Sequence, residues 1–412
     1  MQHGRVESHR HLRRRATVGN KLALTVLATS LLSACATIDR LPAVPLSLAP
    51  EIRPLDIPYA RFYADGDPAV FRALAYETIN KAVAYRKAAG IPADKVPPTN
   101  FLAISGGGDD GAFGAGLLIG WTARGDRPEF AVVTGISTGA LSAPFAFLGP
   151  EYDDELKQVY TETSSGDIFN KEPLVALLSG DAITDTTPLK RLIARYLDDK
   201  TIRRIAEEYD KGRLLLIATT NLDQARSIIW NIGAIAKSND PRAKELIIEV
   251  LRASASIPGA FPPVMLDVTV DGKRYEEMHV DGGAMAQVFL YPPSLRLKAI
   301  DRARPKHKDI AYIIRNGRMF RAEASVKRQT LAIAGQAIST MTAANGVNDL
   351  YRIYLTTQRD GVDYNLAVLE DEFDTPYVGP FDKTYMNTLF NYGYRKGVEG
   401  YAWRKLPPGY ER

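Results

Sequence analysis

Apolar residues along the chain fall into two rhythms. Unbroken apolar runs of strand length stand at 101–104, 130–133, 214–219 and 310–314, the pattern of strands buried on both faces. Between and around them, apolar residues recur at helical spacing. Over 68–89 they include Val70, Leu74, Ile79 and Val83, and similar stretches cover 187–197, 201–209, 242–255, 322–344 and 382–403. Asn345-Gly346 reads as the stop of the helix over 322–344, and 351–355 and 364–369 read as strands on either side of Arg359-Asp360-Gly361. Two hairpins are expected. One turns at 222–225 and returns over 226–232; the other pairs 264–270 with 274–280 around Asp271-Gly272. The stretch 151–178 predicts two short helices, with Ser164, Ser165 and Asp167 in a loop. Strands alternating with helices predict an α/β fold with a mostly parallel central sheet flanked by helices.

The stretch 101–149 organises the rest. It holds two consecutive units of strand, glycine turn and apolar helix. The first turn runs from Gly106 to Gly111; the second is Gly135-Ile136-Ser137-Thr138-Gly139, a GxSxG pattern. A serine on a tight strand-to-helix turn needs neighbours without side chains, which Gly135 and Gly139 supply. The helix over 140–148 would aim its N-terminus at Ser137 and favour negative charge there. Gly106, Gly107 and Gly108 let bare N–H groups approach a substrate and hold the oxyanion of a tetrahedral intermediate. The pair therefore reads as nucleophile and oxyanion hole of a serine hydrolase. Gly106-x-Gly108-x-x-Gly111 also fits a dinucleotide-binding turn. That fold wants an acidic residue closing the second strand. Here the strand runs into Thr134 and Gly135, so the nucleotide reading ranks below the hydrolase one.

Three motifs in order, Gly106 to Gly111, Gly135 to Gly139 and Asp281-Gly282-Gly283, resemble those of the patatin-like phospholipases, as does the run Ala253-Ser-Ala-Ser-Ile-Pro-Gly-Ala-Phe-Pro-Pro263. The resemblance covers 100–293. It implies a three-layer α/β/α fold, a Ser137–Asp281 dyad and hydrolysis of fatty-acyl esters of lipids, of the phospholipase A or lysophospholipase type, without a cofactor. One departure is Asp110, where the family often carries Arg or Lys. A non-catalytic lipid-binding envelope lipoprotein and an acyltransferase are the alternatives on the same scaffold.

The first 34 residues read as an address. Arg5, Arg10, Arg13, Arg14, Arg15 and Lys21 precede an apolar stretch at 22–32, too short to span a bilayer, and Leu32-Ser33-Ala34-Cys35 matches a lipobox. The resemblance to bacterial lipoprotein signals implies cleavage before Cys35 and diacylation of its sulfur, anchoring the chain to the envelope, and with Ala36 next in line it implies the outer membrane, facing the periplasm. Residues 1–34 hold six Lys/Arg and one acidic residue, so the net charge of 52 − 48 = +4 becomes 46 − 47 = −1 without them. No basic run remains to suggest nucleic acid. The expected order is signal peptide 1–34, proline-rich extended linker 35–58, helical segment 59–97, catalytic core 98–294, and 295–412 continuing the same domain.

Past residue 34 the histidines are His279 and His307, and Cys35 is the single cysteine, so a His/Cys metal site is not expected. His307 sits in a charged run that reads as a solvated loop. His279 lies two residues from Asp281 on one strand and shares its face. It is either the third member of a triad or, the preferred reading, a packed strand side chain. In that reading either burial raises Asp281 from an ordinary aspartate to a useful base, or the oxyanion hole lowers the cost of the intermediate.

Overall fold

A computed structural model describes residues 40–92, 95–171, 184–300, 308–319 and 325–410. The strands are β1 (Arg61–Tyr63), β2 (Thr99–Ile104), β3 (Val132–Gly135), β4 (Asn170–Lys171), β5 (Thr184–Asp185), β6 (Leu214–Asn221), β7 (Arg226–Asn231), β8 (Val264–Val270), β9 (Lys273–Asp281), β10 (Asp309–Arg315) and β11 (Asp363–Val368). The helices are α1 (Pro68–Ala88), α2 (Gly111–Arg124), α3 (Thr138–Leu148), α4 (Asp153–Thr161), α5 (Ser165–Ile168), α6 (Thr187–Tyr196), α7 (Asp199–Asp210), α8 (Ile232–Lys237), α9 (Ala243–Ser254), α10 (Thr330–Asp360) and α11 (Lys383–Glu399). β6, β3, β2, β10 and β11 form the parallel heart of the sheet, and the antiparallel β7 and β1 extend one side. β4 and β5 make a separate ribbon. Helices cover both faces, as the alternating pattern predicts.

One detail of register brings the motifs together. The lower half of β6 pairs with β3, up to Gly135↔Ile217, while its upper half pairs with β9 from Thr219↔Asp281 to Asn221↔His279. β9 therefore descends along the same edge of β6 that β3 ascends. The two strand ends meet, and the turns after Gly135 and at Asp281 share one place.

α2 and α11 pack backbone to backbone. A Cβ on Gly116 or Gly120 would lie 2.1 Å from the Phe390 or Tyr394 carbonyl oxygen, so nothing larger than glycine fits.

Four local expectations change. α10 runs through Asn345-Gly346 and absorbs 351–355, expected as a strand; it ends at Gly361, a left-handed cap. Gly346 permits passage against Arg315, whose guanidinium a Cβ would overlap at 2.2 Å. Tyr351 and Tyr354 sit at helical spacing and both pack against the Tyr410 ring, one tilted and one edge-on. Ser164 and Asp167 form a capping box that starts α5, not a loop. Residues 40–58, expected as an extended linker, lie against the β8–β9 hairpin, with Val44, Ala49 and Ile52 buried beside Val268, Val270 and Tyr275. Cys35, the 1–34 segment and His307 lie outside the described residues.

Candidate active site

β3 ends in Gly135 and α3 begins at Thr138, so the chain reverses within Ile136 and Ser137. Ser137 takes the strained conformation this demands, with φ 55° and ψ −126°. Both neighbouring glycines are obligatory. A Cβ on Gly135 would meet the Gly139 carbonyl oxygen at 2.5 Å, and one on Gly139 the Ile104 carbonyl oxygen at 2.3 Å. The Ser137 N–H donates to Ser254 Oγ at 3.0 Å, whose hydroxyl in turn donates to the Ala218 carbonyl at 2.7 Å. α9, through Ser254, thus fixes the serine to β6.

Ser137 Oγ donates to Asp281 Oδ2 at 2.6 Å, and the other carboxylate oxygen accepts the Gly283 N–H at 2.7 Å. Both side chains are buried. Burial pushes the Asp281 carboxyl up to about 6; the two hydrogen bonds only partly oppose it. Gly282 and Gly283 leave the turn room, since a Cβ on Gly282 would stand 2.6 Å from the Ala218 carbonyl oxygen.

The first glycine turn lies across from this pair. A Cβ on Gly106 would come within 3.1 Å of the Ser137 Cβ. The Gly106 N–H is engaged, donating to the Gln287 carbonyl at 2.9 Å. This corrects the expectation that three glycines present free donors. Among the described residues, the Gly107 and Gly108 N–H groups have no backbone acceptor. Gly108 takes φ +60°, which glycine adopts without penalty. Gly111 must be glycine because a Cβ would overlap Thr138 Oγ1 at 2.2 Å.

Two residues that no motif marks hold the turn in place. Asn316, just past β10, donates through Nδ2 to the Ser105 carbonyl at 2.9 Å, accepts the Gly114 N–H at 3.1 Å, and donates its own N–H to Ser105 Oγ at 2.8 Å. Its carbonyl oxygen would stand 2.1 Å from a Cβ on Gly107. Gln287 ties Gly106 to the Asp281 turn, donating Nε2 to the Gly283 carbonyl at 3.1 Å. Asp349 of α10 accepts the Gln287 N–H at 2.6 Å. Only the Asn316-Gly317 turn signal after a buried strand could have drawn attention to Asn316. Asp110 accepts the Tyr385 hydroxyl at 2.7 Å and buried Asp109 accepts the Phe381 N–H at 2.8 Å. Asp110 therefore secures the turn to α11.

His279 is fully buried but faces other partners. Nδ1 lies 2.9 Å from Thr219 Oγ1 and Nε2 lies 3.3 Å from Glu277 Oε2. A neutral ring that donates Nε2–H to the carboxylate accepts the threonine hydroxyl at Nδ1. Burial holds the ring's pKa below its ordinary value. Both nitrogens are then used, and neither faces Ser137. Glu277 is also paired with buried Arg61, at 3.1 Å through Nη2 and more closely through Nη1, and accepts Asn221 Nδ2 at 3.0 Å.

An apolar cavity of about 430 Å³ begins beside the site, with Ile136, Ala218, Met285 and Phe289 in its wall. A second, of about 530 Å³, lies toward the opposite end of the strands beneath α1 and shares Leu290 and Tyr291 with the first. Among the described residues, no group of three His, Cys, Asp or Glu side chains could hold a metal ion.

Residues 102–292 match the family described as patatin-like phospholipase. No curated protein matches the chain. Among solved structures, VipD from Legionella pneumophila is similar at 14% identity and a TM-score of 0.35, over 74% of this chain and 66%, just under two thirds, of that one.

Proposed function

From a chain that belongs, through residues 102–292, to the patatin-like phospholipase family, we propose a serine acyl hydrolase that cleaves fatty-acyl esters of lipids, of the phospholipase A or lysophospholipase type. The observation that carries this reading is the 2.6 Å hydrogen bond from Ser137 Oγ to a carboxylate whose only other hydrogen-bond partner among the described residues is the Gly283 N–H. Asp281 takes the Ser137 proton as Oγ attacks the ester carbonyl carbon. The Gly107 and Gly108 N–H groups receive the oxyanion. Asp281 returns the proton to the departing alkoxide, leaving an acyl-serine. Water then attacks the acyl carbon, gives its proton to Asp281, and the acid is released as Ser137 regains its hydrogen. The 430 Å³ cavity next to Ile136 offers the acyl chain an apolar wall.

The proposal places the chain on the bacterial envelope, anchored through Cys35 and facing the periplasm. The lipobox at 32–35 supports this. So does residue 40, the first described, which is fastened by Arg40 to Asp223 beyond the upper end of β6, the end at which Ser137 lies.

One experiment tests both parts. Full-length protein extracted from membranes is treated with a fluorophosphonate and mapped by mass spectrometry. An adduct on Ser137, abolished by Ser137→Ala, and a diacylglyceryl group on Cys35 are expected. Undiminished labelling of the alanine variant sinks the hydrolase, and an unmodified Cys35 sinks the anchor.

A further inference from the structure

α10 carries its amphipathicity the wrong way round for a helix of a water-soluble surface. Over 330–345, Ile333, Ala334, Ala337, Ile338, Met341 and Ala344 follow one another at i, i+1, i+4, i+5, i+8 and i+11, a single broad stripe. All six are exposed, Ile333 by 53% and Met341 by 63%. The half-covered positions are Ala332, Gln336, Ser339, Thr342, Ala343 and Asn345, a small and mostly polar face. Apolar residues thus dominate the solvent side, where Gly335 and Thr340 join them, while Gln336, Ser339, Thr342 and Asn345 turn toward the protein. Residues 329–348 hold no charge, and exposed Lys327 and Arg328 precede them. Exposed apolar surface of this extent on one side of an element marks a contact.

The place of the stripe narrows what it contacts. α10 descends to β11, which runs parallel to β10, so its first turns lie at the Ser137 end of the sheet. Gly346 is level with Arg315, the last residue of β10. Residues 330–345, N-terminal to that contact, add about 22 Å of helix on its far side, at 1.5 Å per residue. Tyr377 and Val378, 58% and 80% exposed, lie near the same end, where the neighbouring Phe381 N–H is held by Asp109 of the glycine turn. Residue 40 enters at this end too. Among the described residues no helix is long and apolar enough to cross a membrane.

We propose that the 330–345 stripe docks on a phospholipid bilayer surface, seating in the interface with Lys327 and Arg328 against lipid phosphates and bringing the Ser137 end of the molecule to the membrane. The proposal draws on the lipid-ester reading only for the choice of lipid, and insertion is measured apart from catalysis. Met341→Cys and Gln336→Cys are made in the full chain carrying Ser137→Ala and labelled with an environment-sensitive fluorophore. The Ser137→Ala chain, labelled in parallel, supplies the Cys35 background. With vesicles of mixed zwitterionic and anionic phospholipid, emission from position 341 moves to the blue and that from 336 much less. Adding Ile333→Asp abolishes the shift. In the active chain, Ile333→Asp with Met341→Asp lowers the rate on vesicle phospholipid about tenfold, the effect of losing roughly one buried side chain, and leaves the rate on a soluble short-chain ester within about twofold. No shift at 341 with vesicles, or a shift on concentrating the protein without them, as a second copy covering the stripe would give, overturns the proposal.

Discussion

The C-terminal half of β9 carries two buried carboxylates, Glu277 and Asp281, four residues apart on one face, and their environments push them in opposite directions. For both, burial is the largest influence and raises the pKa. At Glu277 the Arg61 charge and the hydrogen bonds from His279 and Arg61 outweigh it, and the carboxyl is held at about 2. At Asp281 no cation among the described residues answers; one hydroxyl and one N–H leave it at about 6. A carboxylate that is fully paired is a strut, because its charge is already spent on neighbours. One buried with a single hydroxyl in front of it is a base, since the proton it can take is the serine's. Burial alone distinguishes nothing here; the count of compensating donors does.

The largest expected effect comes from removing the unpaired charge. Asp281→Asn should lower kcat about 10³–10⁴-fold, measured on an acyl-ester substrate. Folding should move the other way. Because Asp281 is raised in the folded state, its favourable contribution belongs to the protonated form. That contribution is complete below the ordinary aspartate value and is lost as pH rises through about 6. At pH 8 the asparagine variant should therefore be more stable than the parent, by about 1–3 kcal/mol for a shift of roughly two units, and the gain should shrink by pH 4. In the parent, kcat/KM should fall below a limb near pH 6. A variant that loses activity and stability together would mean that Asp281 is a strut after all.

Next in size is the paired carboxylate. Glu277→Gln leaves Arg61 buried without its counter-charge and should cost about 3 kcal/mol in denaturant unfolding, with kcat of the folded fraction within about threefold. The sign again follows from the shift. Glu277 is depressed, so its stabilisation is present above the ordinary glutamate value and is lost as pH falls toward about 2. The difference between parent and variant should be widest at neutral pH and close in acid. A large drop in kcat at full folding would make Glu277 part of the chemistry.

Features set by chain-local chemistry are legible in the sequence. Glycine at 135, which must clear the Gly139 carbonyl, and the apolar strand runs report constraints set close by along the chain, whereas Gly139 and Gly282 stand out as turn residues although the carbonyls they clear, Ile104 and Ala218, are remote. The GxSxG turn, the Asp281 turn and the Asp271-Gly272 hairpin can be placed to within a residue or two. What stays hidden depends on residues far apart along the chain. Asn316 looks like any polar residue after a strand, and its role exists only because β10 lies beside β2. Gly346 resembles a helix stop because the pattern cannot show that Arg315 passes there. Tyr, Ile and Leu at 351–355 have the composition of a strand, and only the partners Tyr364 and Tyr410 reveal helical spacing. The engaged Gly106 N–H is a further case, set by Gln287 from a segment 181 positions later.

A similarly small effect on catalysis, with a smaller cost in stability, is expected at the residue between the two carboxylates. His279 shares a face with both, and its sequence position alone allows it to serve either. The geometry gives it to Glu277. Nε2 lies 3.3 Å from Glu277 Oε2, Nδ1 lies 2.9 Å from Thr219 Oγ1, and that hydroxyl oxygen also accepts the Trp230 indole N–H at 2.8 Å. A relay histidine must exchange a proton with the serine hydroxyl through one free nitrogen, and this ring has none free. Ser137 Oγ is already bonded to Asp281. His279→Ala should therefore leave kcat within about threefold while costing roughly 1–3 kcal/mol of stability, because it strands the Thr219 and Glu277 groups. His279→Gln keeps a donor and an acceptor in the same region and should recover part of that loss. Measured side by side, kcat and the unfolding free energy separate the two carboxylates of β9. If His279→Ala lost as much kcat as Asp281→Asn while circular dichroism showed an intact fold, the histidine would belong to the catalytic end and the dyad would give way to a triad.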